Sequence, residues 1–218
     1  MSQRLNQVFV MQRNFSRNAA HEFRTPLAVL KTRIGLFRKK QDFRPQATLE
    51  LLQIVEGEVD RLSAMVSELL ELTNLERASR GERLSSGQLI RSAADQAAPP
   101  GGSAEHHHFG GCRACTLAGN AELLRQAVCN LVENAVKYSP AGSVVHIAGH
   151  RDGEWFQIVV ADQGPGIPES LRQRIFEPFF RVDDSRSRQL GGAGLGLALV
   201  RAIAEFHGGA VLCGKNPR

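Results

Sequence analysis

Ala20-His21-Glu22-Phe23-Arg24-Thr25-Pro26-Leu27-Ala28-Val29-Leu30-Lys31-Thr32-Arg33-Ile34-Gly35-Leu36-Phe37 decides how the opening region of this chain folds. Ala20, Phe23, Leu27, Leu30, Ile34 and Phe37 recur at alternating steps of three and four, the apolar seam of a helix that packs against partner helices. His21 lies one residue off that seam, and a rotation of about 100° per residue turns it away from the stripe. Thr25 falls on the same exposed face one turn later. Pro26 has no amide hydrogen, so the carbonyl of Glu22 loses its helical partner and the rod can bend beside the histidine. By itself, the hexapeptide from His21 to Pro26 fits a solvent-facing histidine next to a kink as well as it fits a reactive one.

Outward from this run, the first helix extends from about Leu5 to Lys40, and the turn residues Gln41-Asp42-Phe43-Arg44-Pro45 close it. A second helix follows, with Leu52, Val55, Val59, Leu62, Val66 and Leu69 again alternating by three and four. Leu51, Met65, Leu70 and Leu72 widen its apolar stripe. Two stripes this broad exceed what one hairpin buries, so the expectation is a homodimer whose two hairpins form a four-helix bundle. The heptads stop around Ala78 to Arg83, which predicts a helical domain at 1–80 and a second domain at 81–218.

The second region alternates between element types. Leu123 to Tyr138 has the spacing of a helix, while Val144 to Gly149 and Trp155 to Ala161 are strands joined across Arg151-Asp152-Gly153-Glu154, whose Asp-Gly pair is a hairpin signal. Ala193 to Phe206 is a helix opening in glycines, and Ala210 to Cys213 begins another strand. The class is α+β, a two-layer sandwich with helices packed on a mixed sheet.

Composition excludes several classes. With 27 Lys and Arg against 22 acids, spread along the 218 residues, no basic run points to nucleic acid. No stretch of about 18 apolar residues is present to span a bilayer, so no membrane contact is expected from this chain and the chain as written is expected in the cytoplasm. Cys112 and Cys115 form a CxxC pair just after His106, His107 and His108, but a second ligand pair at zinc spacing is missing. Ala97 to Gly111 has the composition of a surface loop leading into a short strand.

Several motifs in the second region carry chemistry. Asn130 and Asn134 stand one helical turn apart, with Lys137 and Tyr138 following on, and asparagine oxygens plus a cation suit a magnesium-bound polyphosphate. Asp162-Gln163-Gly164-Pro165-Gly166-Ile167-Pro168 follows an apolar strand, where a carboxylate can accept from an exocyclic amine while glycines let backbone approach a flat ring. Gly191-Gly192-Ala193-Gly194-Leu195-Gly196-Leu197 runs into a helix, and glycines at a helix start suit a phosphate at its positive end. Between them, Phe176-Glu177-Pro178-Phe179-Phe180-Arg181 and the polar run Val182 to Gln189 suggest a hinged lid over a nucleotide. Singly these are a solvated helix, a turn, a glycine-rich loop and a hydrophobic cluster; their order is more telling.

In that order the chain resembles the sensor histidine kinases of two-component systems. It matches their phosphoacceptor box at His21, the N box at Asn130 to Tyr138, the glycine box at Asp162 to Gly166, the Phe box at Phe176 to Phe180 and the second glycine box at Gly192 to Gly196. The resemblance implies a dimerisation and phosphotransfer hairpin joined to an ATP-binding domain of the gyrase-type (GHKL) class. It implies adenine against Asp162, Mg2+ on Asn130 and Asn134, Lys137 near phosphate, a lid closing through the second glycine box, and nucleotide binding by Tyr138, Gly164, Gly166, Ile167, Phe180, Arg181, Gly192, Gly194, Leu195 and Gly196. His21 would then attack the γ-phosphoryl group with Glu22 orienting or deprotonating its ring, and hand the group to an aspartate of a response regulator receiver domain. Thr25 matches the position that orients water for dephosphorylating the regulator. Relatives usually sit at the cytoplasmic face of the inner membrane behind a sensor, whereas twenty residues precede His21 here and the chain closes at Arg218, short of the family's last strands. A catalytically weak fragment that only dimerises and binds regulators is the competing expectation, and a gyrase-like ATPase without a phosphoacceptor is a third.

Overall fold

The computed structural model describes residues 2–40, 43–75, 78–79, 81–97, 107–109, 115–182 and 192–215. Helix α1 runs from Ser2 to Lys40 and ends in Arg38, Lys39 and Lys40, cations that complement the negative end of its dipole. Helix α2, Pro45–Asn74, starts on a proline whose missing amide would have had no partner in the first turn. Pro26 sits inside α1, which continues through it as one helix.

After this hairpin come β1 (Glu82–Ser85), α3 (Ser86–Ala97), β2 (His107–Phe109), β3 (Thr116–Gly119), α4 (Ala121–Tyr138), β4 (Val145–Asp152) and β5 (Trp155–Ala161). Two single 3-10 turns, Glu169–Leu171 and Arg174–Phe176, precede α5, Gly196–Phe206. β1 pairs antiparallel with β3, while β2 runs parallel and β5 antiparallel to the central β4, so the larger sheet is mixed as expected. Gly153, at φ +58°, makes the tight turn that sets Asp152 opposite Trp155.

Val145 and Ile147 of β4 are buried against Ile90 and Ala93 of α3 and Val128 and Val132 of α4. A second cluster joins Ala127 of α4 to Leu199 and Ile203 of α5, with Leu75 from the end of α2. A third crosses between the two regions: Met65 of α2 packs with Ala193 and Leu195 of the second glycine box, and Phe23 and Phe179 lie against them.

Three expectations need correction or limits. Ala210 to Cys213 forms no strand: these residues follow α5 without a ladder partner, and Leu212 is 90% exposed. The predicted loop from Ala97 to Gly111 contains β2, held in register by the parallel ladder to β4. Cys112, His106 and the lid run from Asp183 to Gln189 lie outside the described residues; Cys115 is a free thiol whose backbone N–H donates to Ser86 Oγ at 3.1 Å.

Candidate nucleotide and phosphoacceptor site

Helix α4 supplies the site's polar wall. Asn120 caps it, its Oδ1 accepting from Leu123 N at 3.0 Å, and its backbone N–H donates to His207 Nε2 at 3.0 Å. His207 Nδ1 lies 2.8 Å from the carbonyl of Ile203, which can only accept, so the proton resides on Nδ1 and Nε2 is the acceptor for Asn120. This chain of bonds ties the start of α4 to the end of α5, fixing Asn130 opposite the second glycine box. Asn134 Nδ2 donates to the Asn130 carbonyl at 2.8 Å, which leaves the side-chain oxygen of Asn134 as an acceptor.

At the strand end, Asp162 Oδ1 accepts from Gly164 N at 2.8 Å. A Cβ on Gly164 would come within 2.8 Å of that oxygen and 3.0 Å of the Tyr138 carbonyl, so only glycine brings the two motifs this close. Gly166 follows at φ +73°, and the Ile167 carbonyl accepts from Arg172 Nε at 3.3 Å. The close approach of Gly164 to the Tyr138 carbonyl sets the glycine box beside the end of α4.

The opposite end gathers glycine backbone around Lys137 and Asn130. Gly192 and Gly194 take φ +97° and +74°; a Cβ on Gly192 would stand 2.9 Å from Lys137 Nζ, and one on Gly196 3.1 Å from Asn130 Oδ1. The carbonyl of Gly194 accepts from Phe179 N at 2.8 Å while Phe179 itself holds φ +66°, a strained value that this bond and the Phe15 ring, 5.6 Å away, help to maintain. Leu195 is fully buried and anchors the start of α5, whose first turn has no side-chain cap. Burial pushes the Lys137 ammonium below its ordinary value, and nearby Arg181 pushes it further. Two cations, a helix start and two asparagines around glycine backbone make a cradle suited to a polyphosphate and its magnesium ion. Phe180 packs under Arg174, whose guanidinium lies 4.4 Å from its ring centroid.

The histidine region meets this cradle directly. His21 is exposed on α1, where it shares a shallow groove with Thr25, whose hydroxyl donates to the His21 carbonyl at 3.4 Å. Glu22 turns to the other side: its Oε2 accepts from Arg181 at 3.0 Å and lies 3.9 Å from Arg61 of α2. Arg181 also donates to the carbonyl of Gly192, so one guanidinium joins the second glycine box to the residue beside the histidine. On α2, burial first and then the carboxylates of Glu71 and Glu133 raise Glu68 to about 7.

Residues 11–78 match the family model described as His Kinase A (phospho-acceptor) domain, and residues 119–218 match that of the histidine kinase-, DNA gyrase B-, and HSP90-like ATPases. The chain belongs to the histidine kinases. It is 32% identical over 218 residues to the probable sensor kinase SilS of Salmonella typhimurium, covering 95% of this chain and 43% of that one. It is 32% identical to the sensor-like histidine kinase SenX3 of Mycolicibacterium smegmatis, covering 94% and 54%. This histidine kinase chain thus spans about half the length of such curated relatives. The crystal structure of full-length ShkA in complex with AMPPNP superposes with a TM-score of 0.61 at 28% identity, over 93% of this chain and 43% of that one. Among the described residues no helix is long and apolar enough to cross a membrane.

Sequence reasoning passed over Asn120, Arg61 and the strained Phe179. An asparagine directly before an acidic first turn is a readable cap signal. Arg61 and the φ of Phe179 have none, because both matter only through partners more than thirty positions away or in another element.

Proposed function

We propose that this chain transfers the γ-phosphoryl group of ATP to its own His21 and passes it on to an aspartate of a response regulator. The observation that carries the reading is Arg181, which joins the phosphate end of the cradle to Glu22 beside the acceptor histidine. The unprotonated ring nitrogen of His21 attacks phosphorus, the bond to the β,γ-bridging oxygen breaks, and ADP leaves. Glu22 holds or removes the remaining ring proton, which keeps the attacking lone pair directed outward. Lys137, Arg181 and the amides at the start of α5 stabilise charge on the leaving oxygens, so the protein's contribution is positioning and electrostatics. Asn130 and Asn134 would hold a magnesium ion, which would supply positive charge against that of the polyphosphate. Asp162 would accept from the adenine amine, with Gly164, Gly166 and Ile167 bordering the ring.

The exposed groove on α1 around His21 and Thr25 suits a regulator, with Thr25 available to orient the water that dephosphorylates it. The phosphotransfer hairpin at 1–80 would dimerise through α1 and α2, as their exposed leucines and valines favour, and 81–218 would bind nucleotide. ATP and a regulator aspartate as reactants locate the reaction in the cytoplasm. Incubation with ATP labelled on the γ-phosphate tests the reading. Acid-labile, alkali-stable label that disappears in His21→Gln is the expected result; steady phosphate release surviving His21→Gln, or no label in the wild type, overturns it.

A further inference from the structure

Arg181 is spent twice in this structure. The same Nη2 nitrogen donates to Gly192 O and to Glu22 Oε2, the latter at 3.0 Å, and the side chain is only 7% exposed. A polyphosphate arriving between Gly192 and Lys137 competes for that nitrogen with several charges against one carboxylate. Once Arg181 turns to phosphate, Glu22, itself only 26% exposed, loses its close hydrogen-bonded partner just when its direction matters most.

Arg61 stands where a replacement is needed. Its Nη2 lies 3.9 Å from the same Oε2 of Glu22, beyond hydrogen-bond length. Its Nε is buried and finds no hydrogen-bond partner among the described residues, so the guanidinium has donor capacity that nothing uses. A movement of about 1 Å by a long side chain would close the gap to a charge-assisted bond. Arg61 and Glu22 both belong to the hairpin, on α2 and α1, so their pair survives any motion of the nucleotide-binding domain. Arg181 comes from that domain and leaves with it.

We propose that Arg61 is the positioning residue that takes over Glu22 when Arg181 turns to the nucleotide. The bridge between the two regions thereby becomes a bridge within the hairpin, which frees the nucleotide-binding domain while keeping Glu22 fixed beside His21. This inference rests on the roles given above to Glu22 and Arg181.

Autophosphorylation of the 218-residue chain tests it with Arg61→Met, Arg61→Lys, Glu22→Gln and the double variant Glu22→Gln/Arg61→Met. Arg61→Met is expected to lower kcat about tenfold with the KM for ATP within about twofold of wild type, and Arg61→Lys to recover most of the loss. In the Glu22→Gln background Arg61→Met should add nothing, because Arg61 acts only through that carboxylate. A wild-type kcat in Arg61→Met overturns the inference, as does a full additional loss in the Glu22→Gln background. Thermal melting accompanies each variant: if Arg61→Met and Arg61→Lys lose activity only in step with a lowered Tm, the role is structural and the inference fails. Failure of the underlying reading looks different, since the wild type itself would then take no label on His21.

Discussion

The two regions bury their apolar residues in opposite ways. In the nucleotide-binding region Val132, Ile147, Leu199 and Ile203 are all fully buried. In the hairpin, Leu27, Leu52, Val59, Val66 and Leu70 are between 45% and 57% exposed, and Met65 owes its burial to the second glycine box. One region holds most of the fully buried core; the other presents an open apolar face. The seam that starts at Ala20 is therefore written for partners that a single hairpin does not contain, which is the physical basis of the proposed dimer.

The sharpest attack on that contrast is Leu199→Ala, which should destabilise the nucleotide-binding region by about 2–5 kcal/mol in denaturant melts, the range for a leucine cut from a closed core. Leu52→Lys combined with Val59→Lys should leave the melting of that region within about 0.5 kcal/mol of wild type, as surface changes do, while converting a dimer to monomers in sedimentation. A chain that sediments as a monomer before any substitution would break the comparison, because the exposed face would then be uncovered in solution.

Gly194→Ala probes the seam between the regions. At φ +74°, with a new Cβ 3.0 Å from the Phe180 carbonyl and 3.1 Å from Phe179 Cα, it should cost about 1–2 kcal/mol. A fluorescent nucleotide titration should then show affinity falling by roughly 5- to 30-fold. A pH dependence of stability follows from Glu68, raised from 4.5 to about 7. Between those values the folded protein keeps a proton that the unfolded chain has released, so stability falls as pH rises from about 4.5 to about 7 and levels off above that. Glu68→Gln should flatten that fall in melts taken between pH 5 and pH 8, a range bracketing about 7; an unchanged slope would mean that Glu68 is not buried between the regions.

Much of this was legible from local pattern. Helices α1, α2, α4 and α5, the β4–β5 hairpin and the glycine motifs rest on periodicity and turn chemistry, which neighbouring residues carry among themselves. β1 and α3 had no such signature: four and twelve residues of mixed polarity become a strand and a helix because β3 pairs with the one and α4 and β4 cover the other. The failed strand at Ala210 to Cys213 shows the converse, since an apolar run without a partner ladder stays irregular.

For the site, sequence alone determined which residue types are available: an exposed histidine with an acid beside it, two asparagines one turn apart, an aspartate at a strand end and glycines before a helix. Those choices follow from helical and strand periods and from the backbone freedom that only glycine has. Tertiary structure decided which of them meet. It put Arg181 between Gly192 and Glu22, 159 positions from the latter, and set Arg61 beside the same carboxylate. Ion pairs across such separations depend on how whole elements dock, and docking is fixed by buried surface rather than by anything the neighbours of Arg61 or Arg181 spell out.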